Sequence, residues 1–312
     1  MRIGVLMGGR SLERDVSLRS GRRVSNALGE LGHEVLDLDV DENLVPSLKR
    51  EHLDLVYIAL HGKFGEDGTV QELLEILDIP YTGPGVFSSA IGFNKALSKE
   101  IFLLNGIPTP PFFVLSEATF QEMGAVFSLE AVGEKLGFPL VVKPAAQGSA
   151  LGIKFASTQD ELPEAVRTAL HYDDRVLLEQ FVKGTEVAAS ILGNDELAAL
   201  PLVETVPHSG FFDFDSRYTP GLTEYFCPAR LDEEVASRTT DVALQTHRTL
   251  GCLNVSRVDI IIDEEGVPQV LELNISPGMT ETSLLPMAAQ TAGMDFNELV
   301  GRLIKLAMEK YS

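Results

Sequence analysis

The residues of this chain best suited to chemistry lie on two apolar, strand-like segments between residues 256 and 274. Side chains two residues apart on a strand share a face, so Arg257 lies with Asp259 and Glu272 lies with Asn274. Antiparallel pairing would bring both pairs to one surface. Two carboxylates and an amide suit Mg²⁺, and an arginine beside them suits negative charge developing on a phosphoryl group. The pattern predicts a magnesium site, with a structural ion pair as the alternative.

A glycine-rich loop at residues 143–152 follows the strand-like segment 138–142. Its backbone N–H groups and the Ser149 hydroxyl can turn onto phosphate oxygens, while Lys143 can supply a point charge. The spacing is not that of a Walker A loop, and an ordinary hairpin is the alternative. Lys95 is a candidate for a second cationic contact, although a single lysine on a helix is typically solvated.

A third candidate is the apolar segment 176–182, which is followed by Glu186. An apolar strand beside open backbone groups can bind an adenine edge, and a nearby carboxylate can hold ribose hydroxyls. A core strand with surface acids would leave the same pattern.

At least two kinds of sheet are needed to position these candidates. Strand-like patterns occupy residues 2–6, 34–39 and 53–60, and a helix is predicted at residues 17–31, with Leu18, Val24, Leu28 and Leu31 inside and Gly32 as its stop. Strand–helix–strand alternation predicts a parallel sheet, and such sheets bind ligands at the carboxyl ends of their strands. Two of those ends, residues 8–13 and 61–68, are rich in glycine and in charge.

The remainder of the chain predicts two further domains. After a Pro-rich joint at 108–111, strands are predicted at 138–144 and 176–179 with a helix at 159–171. A polar and aromatic loop at 207–230 has the length of a lid, and helices follow at 232–250 and after the capping-box-like Asp295 and Glu298. The predicted division is an α/β domain at 1–93, a small central α+β domain at 94–181 and a C-terminal α+β domain at 182–312.

Charge and composition argue against several classes of function. The 312 residues carry a formal net charge of −21, so nucleic acid is not expected as a partner, because a polyanion would be repelled. No apolar run reaches the ~20 residues of a membrane span, and the N-terminus lacks the features of a secretory signal. We therefore expect no membrane partner and a cytoplasmic location. The two cysteines, Cys227 and Cys252, have no metal-like spacing.

Taken in order, these segments resemble the ATP-grasp enzymes, and more closely the D-alanine–D-alanine ligases. The resemblance covers essentially the whole chain, and the stretches that carry it are residues 8–13, 16–17, 59–62, 66–69, 80–83, 143–149, 225–229, 257–259, 272–280 and 283–286. It implies an ATP-grasp fold with a Rossmann-like N-terminal domain. It also implies ATP-dependent joining of two D-alanines through a D-alanyl phosphate, two Mg²⁺ or Mn²⁺ ions, a homodimer and a role in peptidoglycan synthesis.

The same resemblance implies roles for individual residues. The metal ligands would be Asp259, Glu272 and Asn274. The contacts to ATP would come from Lys95, Lys143, Glu179, Phe181, Val182, Glu186 and Arg217. The first D-alanine would lie near His61 and bind Glu13, which would share a hydrogen-bond chain with Ser149 and Tyr218, and the second would bind Ser283 and Leu284. Arg257 and the Gly278 N–H would stabilise the tetrahedral oxyanion.

Four features depart from the usual pattern of these ligases. Ala150 stands where a second serine is common, and residues 145–147 replace a more polar lead-in. Arg217 replaces a lysine and Phe181 replaces a tryptophan; these changes affect loop contacts more than the reaction. One alternative is a ligase that joins D-alanine to D-lactate or D-serine. A second is a nucleotide-binding regulator without catalysis, which the presence of the residues suited to chemistry disfavours. A third, a nicotinamide-dependent oxidoreductase, is disfavoured because residues 8–11 lack the G-x-G-x-x-G pattern.

Overall fold

A parallel sheet opens the computed structural model, which describes residues 1–124, 127–208, 216–217, 219 and 221–311. The strands are β1 (Arg2–Met7), β2 (Glu34–Asp39) and β3 (Leu55–Ile58), in the order β2-β1-β3. Both pairings are parallel, as the alternating pattern predicts. The helices of this region are α1 (Arg14–Glu30), α2 (Leu44–Glu51), α3 (Thr69–Ile76) and α4 (Val86–Phe93).

Helix α1 begins and ends earlier than the sequence pattern predicts. It starts at Arg14, directly after Glu13, instead of near residue 17. Val24 and Leu28 are fully buried as expected, but the prediction that Leu31 lies inside is wrong, because its side chain is 41% exposed. Leu31 is the residue after the last turn, and its N–H donates to the Ala27 carbonyl. A backbone hydrogen bond at a helix end does not require a buried side chain.

A four-stranded antiparallel sheet forms the middle of the chain. Its strands are β4 (Phe112–Ser116), β5 (Leu140–Pro144), β6 (Lys154–Ala156) and β7 (Arg175–Gln180), in the order β4-β7-β5-β6. The helices here are α5 (Lys95–Leu104), α6 (Glu117–Glu122), α7 (Ser128–Leu136) and α8 (Leu162–Leu170). The apolar faces of the sheet and of α8 enclose their own core, which includes Leu140, Val142, Val166 and Leu178.

A larger antiparallel sheet forms the last part of the chain. Its strands are β8 (Gly184–Gly193), β9 (Leu197–Ala199), β10 (Val203–Pro207), β11 (Thr223–Phe226), β12 (Asn254–Asp263) and β13 (Pro268–Asn274). The order is β11-β10-β8-β12-β13, with β9 paired to β8. Helices α9 (Glu233–Thr249), α10 (Leu284–Thr291) and α11 (Phe296–Lys310) complete the fold. Antiparallel sheets beside one parallel sheet agree with the predicted mixture of α/β and α+β structure.

The segment 207–230, predicted as one long loop, contains a strand. Pro207 ends β10, and β11 pairs with β10 so that Thr205 lies opposite Tyr225. Thr223, Tyr225 and Phe226 have the β-branched and aromatic side chains that favour strands, which explains why this end of the segment is ordered into the sheet. Residues 209–215 and Tyr218 lie outside the described residues.

The C-terminal helix α11 joins the last part of the chain to the first. Asp295 and Glu298 form the predicted capping box. Leu299, Leu303 and Ile304 are buried in one cluster with Ile3 and Val24 of the N-terminal region. Packing of α11 against α1 therefore holds the parallel sheet beside the larger antiparallel sheet. No helix among the described residues is both long and apolar enough to span a membrane.

A buried histidine on α9 predicts loss of stability on acidification. The His247 side chain is 1% exposed, and its Nδ1 lies 2.7 Å from the Ser256 hydroxyl. Burial lowers its pKa from 6.5 to about 4. Because the unfolded chain takes up the proton first, stability present above pH 6.5 is lost as the pH falls towards 4. At pH 5 the free energy of unfolding is therefore about 2 kcal/mol lower, because of this residue, than it is above pH 6.5.

Between pH 7.5 and pH 5 we therefore expect the free energy of unfolding to fall by about 2 kcal/mol less in His247→Gln than in wild type. Urea unfolding at both pH values measures this difference. The control is His208→Gln, because His208 has an exposed side chain. An unchanged pH dependence in His247→Gln would contradict the prediction.

Candidate active site

The predicted acid pair lies across two neighbouring strands. In the pairing of β12 with β13, Asp259 stands opposite Glu272 and Arg257 stands opposite Asn274. The Arg257 Nε and Nη2 donate to the two Asp259 carboxylate oxygens at 2.7 and 2.8 Å. The Asn274 Nδ2 donates to Asp259 Oδ2 at 3.1 Å. The prediction that strand geometry brings all four side chains to one surface is confirmed.

Lys95 connects this pair to the glycine-rich loop. Its ammonium lies 2.9 Å from Glu272 Oε2 and donates to the Gln147 carbonyl at 2.7 Å. The residue is buried, so it is not the solvated helical lysine that its sequence context allowed. Although desolvation acts to raise the pKa of Glu272, Lys95 and Arg217 hold that pKa below its ordinary value. Glu272 is therefore ionised and able to bind a cation.

Lys143 and Glu179 belong to a buried ionic triad that the sequence pattern did not indicate. Lys143 Nζ lies 2.7 Å from Glu179 Oε1, and Lys99 Nζ lies 2.5 Å from Glu179 Oε2. Lys99 is completely buried, and burial lowers its pKa to about 8. Desolvation would raise the pKa of Glu179, but the two lysines hold it below its usual range. Lys99 lies one helical turn from Lys95, which was the only signal available in the sequence.

A cleft of about 480 Å³ lies between the two antiparallel sheets. From the central sheet its walls include Lys143, Phe155, Glu179, Phe181 and Val182. From the larger sheet and its loops they include Glu186, Glu204, Thr205, Arg217, Asp259, Ile261, Leu271 and Glu272. The described lining carries five basic and five acidic side chains, although the whole chain has a net charge of −21. The cleft is therefore less repulsive to an anion than the rest of the surface.

Glu186 stands within this cleft on β8. Desolvation raises its pKa to about 7, with Arg217 acting in the opposite direction and Asp259 acting in the same direction. Phe181 is 39% exposed, and its ring packs edge-on against Phe155 with centroids 5.9 Å apart. This combination of aromatic surface with a carboxyl group suits a flat base joined to a polyhydroxyl group.

Glu13 occupies a second corner, at the N-terminus of α1. Ser149 donates a hydrogen bond to Glu13 Oε1, which brings the glycine-rich loop against the parallel sheet. A Cβ on either Gly62 or Gly148 would lie less than 3.0 Å from Glu13 Oε2, so glycine at both positions leaves room for the carboxylate where it stands, and the positive φ of Gly62 also favours glycine. Glu13 Oε2 is buried, and no described residue donates a hydrogen bond to it. Burial raises the Glu13 pKa, so an ammonium group would stabilise the ionised form.

His61 lies beside this corner and is held neutral. Its Nε2 is 3.1 Å from the Ser20 hydroxyl of α1. Desolvation, aided by the charge on Arg257, lowers its pKa to about 4. Ser11 donates to the His61 carbonyl at 2.7 Å and accepts the Glu13 N–H at 2.9 Å. Residues 8–13 and 61–68, the two strand ends predicted to bind a ligand, therefore contact each other.

The loop after β13 borders the same space. Ser283 Oγ accepts the Thr280 N–H at 2.9 Å, and a Cβ on Gly278 would lie only 2.7 Å from that hydroxyl oxygen. Thr282 donates to the Arg217 carbonyl at 3.3 Å. The Leu284 side chain is buried in the apolar core, so its backbone is the part left to face a ligand.

Most of the predicted site residues are therefore brought together, with Tyr218 outside the described residues. Sequence reasoning missed Lys99 and also gave no role to Glu66. The Glu66 carboxylate is buried and accepts the Gly62 N–H at 2.7 Å. Burial and the neighbouring Glu13 charge raise its pKa well above the ordinary value. Its position in a glycine-rich stretch next to His61 was the only available signal.

The donor set fits a hard divalent cation. Asp259 and Glu272 supply two carboxylates and Asn274 supplies an amide oxygen, all from adjacent positions on β12 and β13. Among the described residues no group of three or more His, Cys, Asp and Glu side chains forms a metal cluster. A site with so few protein ligands matches Mg²⁺, which completes its octahedron with water and phosphate oxygens.

Comparisons with known proteins agree with this geometry. A family model described as "D-ala D-ala ligase C-terminus" matches residues 101–305, and one described as "D-ala D-ala ligase N-terminus" matches residues 40–84. A D-alanine–D-alanine ligase of Desulforamulus reducens is 47% identical over 311 residues, covering 99% of each chain. One of Pelotomaculum thermopropionicum is 45% identical over 309 residues, covering 99% of this chain and 97% of the relative.

Solved structures give the same result. The D-alanine–D-alanine ligase of Bacillus anthracis complexed with ATP has a TM-score of 0.83 at 34% identity, covering 99% of this chain and 98% of that one. The VanG D-Ala:D-Ser ligase of Enterococcus faecalis has a TM-score of 0.83 at 29% identity, covering 98% of this chain and 99% of that one. The two antiparallel sheets that enclose the cleft define an ATP-grasp architecture. The chain belongs to the D-alanine–D-alanine ligase family.

Proposed function

We propose that this chain uses ATP to join two D-alanines, releasing ADP and phosphate. The product, D-alanyl-D-alanine, serves peptidoglycan synthesis. The observation that carries the proposal is the buried Glu13 Oε2, which no described residue satisfies, in a corner next to the cleft. A buried carboxylate oxygen of this kind suits the ammonium group of an amino acid. The charged side chains around the nearby cleft suit a nucleoside triphosphate.

The first step joins two anions, so positive charge must surround them. The carboxylate oxygen of the first D-alanine attacks the γ-phosphorus of ATP, and the bond from that phosphorus to the β–γ bridging oxygen breaks. D-alanyl phosphate and ADP result. Lys143 and Lys95 hold the phosphates, and Glu13 holds the ammonium, which fixes the attacking carboxylate in place. His61 is neutral and therefore adds no charge beside the substrate.

The second step forms the peptide bond. The amine of the second D-alanine attacks the acyl carbon, the bond from that carbon to the phosphate oxygen breaks, and inorganic phosphate leaves with the proton that the amine gives up. Arg257 and the Gly278 N–H stabilise the oxyanion of the tetrahedral intermediate, and Ser283 holds the carboxylate of the incoming amino acid. Glu186, Phe181 and Val182 hold the ribose and adenine, while Arg217 contacts the phosphates. Ser149 fixes Glu13, with Tyr218 as the third member of that chain.

Asp259, Glu272 and Asn274 are proposed to hold Mg²⁺ or Mn²⁺. When bound, the cation offsets negative charge on the transferring phosphoryl group. Arg257 pairs with Asp259 at 2.7 Å and Lys95 pairs with Glu272 at 2.9 Å, which keeps the two carboxylates on one surface.

The proposal extends to the organisation of the protein. It divides at residues 93 and 181 into three domains, with a lid proposed between β10 and β11, and it works in the cytoplasm as a homodimer. Sedimentation equilibrium tests the dimer, for which a single species of 33.9 kDa would be the contrary result.

The direct test measures phosphate release from Mg-ATP with D-alanine alone and with D-lactate or D-serine added, with the products identified by mass. We expect phosphate and D-alanyl-D-alanine in equal amounts. A mixed product would instead assign the chain to a ligase with another acceptor. The Enterococcus faecalis relative, which is named a D-Ala:D-Ser ligase, is an example of that class. No amino-acid-dependent phosphate release would overturn the proposed function.

Glu13→Gln tests the ammonium site. Replacing a buried carboxylate by an amide removes the charge that pairs with the ammonium, and charged hydrogen bonds contribute about 1.5–3 kcal/mol. We expect the KM for D-alanine to rise by about 10- to 100-fold while the KM for ATP changes little. Asp15→Gln, an exposed acid on the same helix, is the control. Equal changes in the two KM values would argue against the assignment.

A further inference from the structure

Helix α1 presents a row of polar side chains to the site. Ser17, Ser20 and Arg23 follow Glu13 at intervals of three or four residues, which places them along one face. Ser17 accepts the Gly8 N–H at 2.9 Å and donates to the Ala59 carbonyl at 2.7 Å, so it ties α1 to the parallel sheet. Ser20 and Arg23 instead contact the loop after β13.

Ser20 stands between His61 and that loop. The Met279 N–H donates to Ser20 Oγ at 3.2 Å, and Ser20 Oγ lies 3.1 Å from His61 Nε2. The His61 ring also hydrogen bonds to the Ser276 backbone. A neutral imidazole has one donor and one acceptor nitrogen, so the ring can donate to Ser276 while Nε2 accepts the Ser20 proton. This series of hydrogen bonds starts at Met279 of the loop, passes through Ser20 and His61, and ends at Ser276 of the same loop.

Arg23 contacts the same loop from the next turn of α1. Its Nη1 donates to the Met279 carbonyl at 3.1 Å and to the Thr280 carbonyl at 2.8 Å. Its guanidinium stacks on the Phe296 ring at 3.8 Å, which fixes the plane from which it donates. Desolvation lowers its pKa, as expected for a cation held between a helix and a loop.

We propose that Ser20 and Arg23 are positioning residues that orient the loop 276–283 and thereby place its groups for the second D-alanine. Ser20 and Arg23 hold three consecutive peptide units, which begin at Gly278 and end at residue 281, and Ser283 follows two residues later. Within the loop, Ser283 bonds to Thr280, so the loop is a small unit whose orientation depends on these outside contacts. The inference rests on the proposed function, because it assigns the loop to the second substrate.

The test compares Ser20→Ala and Arg23→Met with wild type. Three quantities are measured: the D-alanine concentration for half-maximal dipeptide formation, the KM for ATP, and the ratio of phosphate released to dipeptide formed. A misplaced loop slows attack by the second amine, so D-alanyl phosphate is lost to water. We expect Arg23→Met to raise the half-saturating concentration and the ratio about tenfold, with the KM for ATP unchanged.

Ser20→Ala is expected to change the same quantities about threefold. A cavity of about 20 Å³, which is large enough for one water, borders Ser20, His61 and Met279. The effect is smaller because a water in this cavity can take the place of the missing Ser20 hydroxyl. Arg23→Lys keeps the charge and one donor, so it should recover much of the lost coupling. It also provides a second arginine variant if Arg23→Met does not fold.

Two controls separate positioning from general loss of structure. Ser88→Ala removes a serine hydroxyl that donates to the Gly251 carbonyl at 2.7 Å, and Arg238→Met removes a guanidinium that donates to the Gly266 carbonyl at 3.3 Å. A purely structural role for Ser20 and Arg23 would lower the melting temperature but leave the ratio and half-saturation at the control values, which would overturn the inference. Wild type without D-alanine-dependent phosphate release would instead overturn the proposed function.

Discussion

Arg257→Lys is expected to lower kcat for dipeptide formation by about 10²–10³-fold, because it removes a donor to the tetrahedral oxyanion. The guanidinium is buried and holds both Asp259 oxygens, at 2.7 and 2.8 Å. Lysine keeps the charge but cannot form this two-point contact, so its ammonium would take a different position. The KM for ATP should stay within about threefold of wild type, because the loss falls on the transition state.

Arg230→Lys is the matched control for this variant. Arg230 also pairs with a carboxylate, Glu204, at 2.6 Å, and it lines the same cleft, but 56% of its side chain is exposed. Steady-state kinetics on both variants decides the matter. A kcat for Arg257→Lys close to that of Arg230→Lys would show that Arg257 acts only through packing.

Glu179→Gln is expected to lower the free energy of unfolding by about 3–5 kcal/mol. Glu179 is the only described carboxylate within ion-pair distance of Lys99 and Lys143, at 2.5 and 2.7 Å. Its removal would leave two buried ammonium groups facing each other without an anion. Because Lys143 would also move, the affinity for ATP should fall with stability.

Urea unfolding followed by circular dichroism measures the first effect, and titration with a non-hydrolysable ATP analogue measures the second. Glu264→Gln is the control, because Glu264 also pairs with a lysine, Lys183, at 2.7 Å on an exposed surface. Exposed pairs contribute little, so no measurable change is expected there. Equal stability of the two variants would show that the triad is not the stabilising feature that its burial indicates.

The acid pair could be predicted from sequence because its geometry is local. Arg257, Asp259, Glu272 and Asn274 lie on two strands joined by a short turn, so strand periodicity and antiparallel pairing determine which side chains meet. Other local patterns predicted the parallel pairing of the first three strands and the capping box at Asp295. The roles assigned to these residues remain predictions.

Contacts between distant segments could not be predicted in this way. Lys99 reaches Glu179 only because α5 packs against the central sheet, and Glu13 meets Ser149 across 136 positions of sequence. Periodicity describes one element at a time and does not specify which elements pack together. The exposure of Leu31 and the pairing of β11 with β10 likewise depend on tertiary packing.

The contacts from α1 to the last loop have a consequence for how the protein is made. Arg23 bonds to Met279 and Thr280 across 256 and 257 positions of sequence. A ribosome synthesises the chain from the N-terminus, and N-terminal domains fold first. The parallel sheet with Glu13 therefore emerges long before the loop that Arg23 holds. A nascent or truncated chain that lacks residue 280 therefore has an incomplete site for the second D-alanine, so it cannot make dipeptide.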